Sequence, residues 1–218
     1  MTGREFKDAV FDQFARIAYA FASPKRLEMI DVLAQGERDV DSLARQVGMT
    51  IANTSRHLQV LKTARLIQSR REGVRIFYRL ADDDVFQCWK NLQSLAENRI
   101  AEIREVTKLF FDERDKMEPI NRDELWNRIR NHDVTVIDVR PPEEYRQAHI
   151  PAALSIPLAE LKERLDEIPH EHEVVAYCRG PYCVLSVEAV KILRDSGYKV
   201  SRLKDGMPEW KRASLPIE

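Results

Sequence analysis

In Val174-Val175-Ala176-Tyr177-Cys178-Arg179-Gly180-Pro181-Tyr182-Cys183-Val184, an apolar run ends at a cysteine and a tight Gly/Pro loop follows it. Residues Val184 to Arg194 then read as a helix, so the stretch predicts a strand, a loop and a helix with Cys178 at the end of the strand. A cysteine so placed is suited to being a thiolate. Loop N–H groups and the positive end of the next helix both favour an anion, and Arg179 adds a full charge beside the sulfur. The plainer reading of a thiol near a strand end is a small buried hydrophobe. Position, loop composition and the neighbouring arginine favour the reactive one. Two of the chain's three cysteines frame this loop, which makes Cys178 the candidate catalytic residue and Arg179, Gly180, Pro181, Tyr182 and Cys183 the candidate active-site loop.

Upstream, the charged segment Phe111-Asp112-Glu113-Arg114-Asp115-Lys116 and then Glu118-Pro119 mark a linker, and a new α/β pattern begins at Ile120. Val134-Thr135-Val136-Ile137 reads as a buried strand ending at Asp138. The run Val136-Ile137-Asp138-Val139-Arg140-Pro141-x-Glu143-Glu144-Tyr145-x-x-x-His149-Ile150-Pro151-x-Ala153 resembles the amino-terminal signature of rhodanese domains. Leu203-x-Asp205-Gly206-Met207-x-x-Trp210 resembles their carboxy-terminal one, and the Cys178 loop lies between the two. The resemblance spans about residues 120–218 and implies a sulfurtransferase-type domain in which Cys178 accepts a sulfane sulfur from thiosulfate or a persulfide. Asp138, Arg140 and His149 are expected to support the loop. Taken singly, they and Trp210 read as structural residues that fix loop ends and core.

A six-residue loop curled around its first sulfur can hold the outer sulfur of a persulfide by backbone N–H bonds. The rival chemistry, phosphate-ester or arsenate handling, needs Cys-x5-Arg spacing, and position 184 is valine. Many rhodaneses end the loop with a threonine or a basic residue that helps bind thiosulfate. Cys183 stands there in this chain, which argues against efficient thiosulfate turnover. The residues leave two roles for Cys183: a second thiol that attacks the persulfide and releases sulfide, or a small packing residue at a helix start.

The first half has a different character. From Arg38 to Leu80 nine basic residues face three acidic ones, the footprint of a polyanion-binding surface, although the whole chain carries a net charge of −1. Ser23-Pro24 starts a helix that Gly36 ends. A short helix from Asp41 to Val47, a turn at Gly48-Met49, and a second helix capped by Thr50 and carrying Leu58 and Leu61 have helix-turn-helix proportions. Off the Leu58/Leu61 face lie Ala52, Asn53, Arg56 and Gln59, suited to base edges and phosphates. His57 is left between packing and phosphate contact. Leu66 to Arg71 and Val74 to Leu80 alternate like two strands joined at Glu72-Gly73, a basic hairpin bearing Arg70, Arg71 and Arg75.

Ser23-Pro24-x-Arg26-Leu27, Ser55-Arg56-His57-Leu58-x-x-Leu61, Ala64-Arg65-Leu66-Ile67 and the Gly73 wing resemble the winged-helix repressors of the ArsR/SmtB family over about residues 5–112. The resemblance implies a dimeric DNA-binding repressor that an inducer releases from a palindromic operator. The family's usual inducers are metals, and this chain departs from that pattern. Glu37-Arg38-Asp39-Val40-Asp41 holds no cysteine pair, no histidine lies between His57 and His132, and Cys88 alone makes no thiolate site. No metal and no cofactor is expected, and Cys88 is read as a packed thiol with a redox role left open. A stripe from Val85 through Trp89, Leu92, Ala96, Ile100, Ile103 and Val106 to Phe110 predicts one long helix. In the resembled family this helix and the first one, here with Val10, Phe14, Ile17 and Ala18, build the dimer interface, which implies a homodimer; packing onto the second domain is the other use for the stripe.

With 218 residues the chain suffices for two self-sufficient cores. The expected fold is an α+β winged helix-turn-helix domain at 1–112, a linker at 113–119, and an α/β rhodanese-like domain with a central parallel sheet at 120–218. Three cysteines make no disulfide framework, no run of 18 apolar residues occurs, and Asp8, Asp12 and Arg16 interrupt any leader-like start, so no membrane partner and a cytoplasmic location are expected. The different-class alternative is a sulfurtransferase whose DNA-binding half is not controlled by sulfur.

Overall fold

The computed structural model describes residues 1–112 and 119–218; residues 113–118 of the predicted linker lie outside them. By packing, the chain divides into two compact units, Met1–Ala96 and Glu97–Glu218. Among the described residues no helix is long and apolar enough to cross a membrane.

In the first unit, α1 (Gly3–Phe21) starts at a capping box in which Thr2 and Glu5 bond each other's backbone. Ser23 in extended backbone and Pro24 at the first helical position open α2 (Pro24–Ala34). The helix pair follows as α3 (Val40–Gln46) and α4 (Ile51–Thr63), with Asp39 and Thr50 accepting the backbone N–H of Ser42 and Asn53. Gly48 makes the turn with a φ of 62°, a region that costs glycine nothing. Lys25 donates to the Val47 carbonyl at 2.6 Å, supplying a cation at the C-terminal end of α3. Leu43, Val47, Leu58 and Leu61 meet Met29, Ile30 and Leu33 of α2 in one core.

The hairpin forms from β2 (Ile67–Glu72) and β3 (Arg75–Leu80), antiparallel with Ile67 opposite Leu80 and Glu72 opposite Arg75. Gly73 turns it with a φ of 60°. Along the second strand and the turn before it, Tyr78 is buried and Leu80 half-buried, whereas Ile76 is exposed and Val74 is 93% exposed. The tip therefore reaches beyond the core, as a wing does. A two-residue strand unforeseen in the sequence, β1 (Arg38–Asp39), pairs with the inner end of β3 and completes a three-stranded sheet.

Two expectations need correction. The predicted continuous helix over Val85 to Phe110 is broken at Ile100 into α5 (Asp83–Arg99) and α6 (Ala101–Asp112), with neither proline nor glycine at the break to explain it. Cys88 is exposed, not packed, because Val85, Phe86 and Trp89 turn a different side of α5 inward. Trp89 donates to Asp31 at 3.2 Å, tying α5 to α2.

In the second unit, α7 (Arg122–Arg130) precedes β4 (Val134–Asp138), α8 (Pro142–Tyr145), β5 (Leu154–Ser155), β6 (Glu173–Cys178), α9 (Val184–Asp195), β7 (Val200–Gly206) and α10 (Met207–Arg212). The sheet is parallel in the order β5-β4-β6-β7, so β6 is a central strand. Apolar clusters cover both faces: Val174, Ala176 and Cys178 point to the side of α9, and Val175 and Tyr177 to the side of Leu125 and Trp210. This alternation places Cys178 at the carboxyl end of a rigid strand, where open α/β sheets present ligand-binding loops.

At that end Asp138 and Arg140 are both fully buried and paired at 2.6 Å. Replacing Asp138 with Asn keeps the shape and leaves a buried guanidinium without its counter-charge. The expected cost is about 3 kcal/mol or more, seen as a lower denaturant midpoint for the second unit, with Arg140→Met on the Asn background recovering part of it.

Candidate functional site

Cys178 ends β6 and is 2% exposed. Its sulfur is bonded to that of Cys183, with the Cα atoms 6.3 Å apart, so the loop is closed as a disulfide. Cys183 N donates to Gly180 O at 3.0 Å, folding the chain back, and Cys183 then serves as the N-cap of α9 without any side-chain capping bond. The first N–H groups of α9 follow directly on the loop and receive no capping bond from the Cys183 side chain. Gly180 and Pro181 are half-buried and Tyr182 is exposed.

Arg179 is paired with a carboxylate. Its guanidinium donates to Glu144 of α8, from Nε at 3.1 Å and from Nη2 at 2.6 Å, and the Glu144 side chain is fully buried. The full charge predicted for the sulfur is engaged by a carboxylate. Glu144 reads as a solvated acid when taken from the sequence alone, and only its place in the rhodanese signature marks it out.

Gly206 belongs to the carboxy-terminal rhodanese signature, and its packing gives the reason for a glycine. A Cβ at Gly206 would lie 2.0 Å from Arg179 O and 2.4 Å from Gly180 N. Its φ of −122° suits any residue, so the requirement is space alone. The ladder steps from Ala176 opposite Arg202 to Cys178 opposite Gly206, an irregularity that brings the end of β7 against the loop. Gly206 N also donates to Glu209 at 3.1 Å.

The supporting residues separate into two groups. Arg140 donates to both carboxylate oxygens of Asp138 and to Ala148 O. Tyr177, next to Cys178, donates to Asp138 at 2.6 Å and accepts from Ile150 N at 3.1 Å. Burial lowers the Arg140 pKa, but the hydrogen bond and charge of Asp138 outweigh it and the net direction is up. Burial, then the Asp138 charge, raises the Tyr177 phenol well above its ordinary range, so it stays a donor. His149 belongs elsewhere: it stacks on Tyr145, with Nδ1 3.0 Å from Tyr145 O, and exchanges backbone hydrogen bonds with Glu218. Trp210 is buried and donates to Pro216 O.

In the first unit Asn53, Arg56 and Gln59 are exposed on α4, and Thr50 caps its start. Gln59 also lines an open cavity of about 460 Å³ with Asp12, Arg16 and Tyr19 of α1. His57 is half-buried, and its pKa is lowered by burial first and the charge of Arg26 second. On the wing, Arg70 is held by Glu37 and Glu72, Arg75 lies 3.7 Å from Asp39, and Arg71 donates to Gly73 O.

A wing and helix-turn-helix in one unit, and a cysteine loop on a parallel sheet in the other, define a winged-helix protein carrying a rhodanese domain. Residues 23–69 match the family model for bacterial regulatory proteins of the arsR family, and residues 121–213 match the rhodanese-like domain. The chain is 43% identical over 212 residues to the HTH-type transcriptional regulator Rv0324 of Mycobacterium tuberculosis, covering 97% of this chain and 93% of that one. It is 37% identical over 100 residues to a sulfurtransferase of Allochromatium vinosum, covering 45% of this chain and 92% of that one. A homodimeric winged helix-turn-helix DNA-binding domain from Mycobacterium bovis, solved in solution, is 40% identical, spans 46% of this chain and 91% of its own, and superposes with a TM-score of 0.42. The chain belongs to the arsR family of HTH-type regulators, in the form that carries a C-terminal rhodanese domain.

Gly206→Ala is expected to displace the loop, since both neighbours of the added methyl are backbone. Overpacking of this kind costs about 1–3 kcal/mol. The reduced variant should unfold at lower denaturant and its Cys178 should alkylate faster than wild type; equal stability and equal alkylation would contradict the packing described.

Proposed function

We propose that this regulator binds a palindromic operator as a homodimer, and that its rhodanese domain carries or senses sulfane sulfur as a persulfide on Cys178. One observation carries the reading: a cysteine at the end of a central strand opens a six-residue loop against an uncapped helix start, in a chain that also bears a winged helix. Orphan N–H groups and the helix dipole favour an anion there, and the terminal sulfur of a persulfide is one. Arg179 is engaged by Glu144, which supports a persulfide or polysulfide donor over the thiosulfate dianion.

The domain limits of 1–112 and 120–218 belong to this proposal, as does a cytoplasmic setting. Dimerisation is supported by apolar side chains on α1, α5 and α6 that a single chain leaves open, Phe14 at 62% and Val106 at 66% exposure among them. Thr50, Asn53, Arg56 and Gln59 would enter or flank the major groove, and Arg71 of the wing would meet phosphate.

The deciding experiment measures binding to promoter DNA from the protein's own locus at fixed salt, for reduced protein, persulfide-treated protein and Cys178→Ser. A tenfold change on persulfide treatment, about 1.4 kcal/mol of coupling, that Cys178→Ser abolishes is the expected result. Equal binding by all three would overturn sulfur control and leave the sulfurtransferase reading to be assayed by turnover. Within the DNA face, Arg56→Ala and Arg71→Ala should each weaken binding and reduce the salt slope by about one. Arg70→Ala should leave that slope unchanged, because Glu37 and Glu72 already neutralise the guanidinium.

A further inference from the structure

We infer that the loop reduces the sulfane sulfur it receives to sulfide, and that the Cys178–Cys183 disulfide is the product of that reaction. The inference rests on the Cys178 persulfide proposed above and adds the fate of its outer sulfur.

Three features carry it. The two sulfurs reach bonding distance inside the folded loop, since they are bonded there. The backbone that brings them together is set by the Cys183 N to Gly180 O bond on one side and by the close approach of Gly206 to Arg179 and Gly180 on the other. Cys183 is also the N-cap residue of α9, beside a helix end that favours an anion.

The step balances without an outside oxidant. The donor R–S–SH passes its outer sulfur to the Cys178 thiolate and leaves as R–S⁻. The Cys183 thiolate then attacks Sγ of Cys178. The bond between Sγ and the outer sulfur breaks, and the electron pair leaves with the outer sulfur, which keeps the proton it brought from the donor and departs as HS⁻. A disulfide forms between the two Sγ atoms. The sulfane sulfur gains two electrons, and the cysteine pair supplies them. A dithiol restores the loop by thiol–disulfide exchange.

The test uses the full chain, reduced, desalted and kept free of oxygen, treated with a stoichiometric amount of glutathione persulfide. Sulfide is trapped with a bimane reagent, and the protein is weighed intact. Wild type is expected to lose the mass of two hydrogens and release stoichiometric sulfide, which a mock-treated sample does not. Cys183→Ser, and Cys183→Ala as a second variant, are expected to gain the mass of one sulfur and keep it, and Cys178→Ser to do neither. A wild type that keeps one added sulfur, as the Cys183 variants do, would overturn the reduction while leaving the Cys178 persulfide intact. If neither wild type nor the Cys183 variants take up sulfur, the persulfide reading fails along with it.

Discussion

A charged pair with no access to water governs the second unit. Moving a carboxylate and a guanidinium out of solvent costs several kcal/mol each, and their attraction offsets this only when the remaining donors and acceptors are also used. Here they are: Asp138 accepts from the Arg140 side chain, the Arg140 backbone N–H and the Tyr177 phenol, while Arg140 also donates to Ala148 O. Each partner belongs to a different piece of chain, namely the end of β4, the turn after it, the segment before Ile150, and β6 one residue before Cys178. Satisfying the pair therefore fixes all four at once. A hydrophobic replacement of equal volume could match its stability but would lack the directionality that aims the strand end.

From that anchor the loop follows by exclusion of alternatives. Tyr177 faces one side of the sheet and is held by two hydrogen bonds, so Cys178 must face the other. Gly206 then blocks any inward shift of Arg179 and Gly180, because the space a methyl would need is already occupied by backbone. Glu144 draws the Arg179 side chain to α8, and the chain returns through Gly180 and Pro181 to place position 183 beside position 178.

The sequence showed the parts of this arrangement that are local. An apolar run, a Gly/Pro loop and a helical stretch are patterns within a dozen residues, and so are the caps Asp39 and Thr50 and the turn at Gly48. Cys178 and the wing were legible for that reason, and the parallel sheet through the resemblance to rhodanese domains. Arg179 with Glu144, or Tyr177 with Asp138, joins residues more than thirty positions apart, and nothing in either neighbourhood marks them as partners. Arg179 was accordingly assigned to the nearest anion in sequence, the sulfur. β1 escaped notice because two residues carry no alternation, and the break at Ile100 because apolar spacing continues through it while the backbone does not. Cys88 was misread by residue type, since cysteine is more often buried than its place on α5 allows.

The electrostatics of the two units differ in where their arginines are engaged. On the first, the excess of arginine over Arg38 to Leu80 is tempered by Glu37, Asp39 and Glu72, which engage Arg70 and Arg75, so Arg56 and Arg71 remain the stronger candidates for phosphate. On the second, the only arginine of the loop is engaged as well, and attraction for an anion falls to the start of α9. A helix end is equivalent to about half an elementary charge and acts within its first turn. That suffices to lower the energy of a single charge on a sulfur placed against it, such as a thiolate or a persulfide. A dianion brings a desolvation cost that grows with the square of its charge to the same half charge, and Glu144 holds the cation that would have met it. Donor choice on this reading is set by what Arg179 is bonded to, as much as by Cys178 itself.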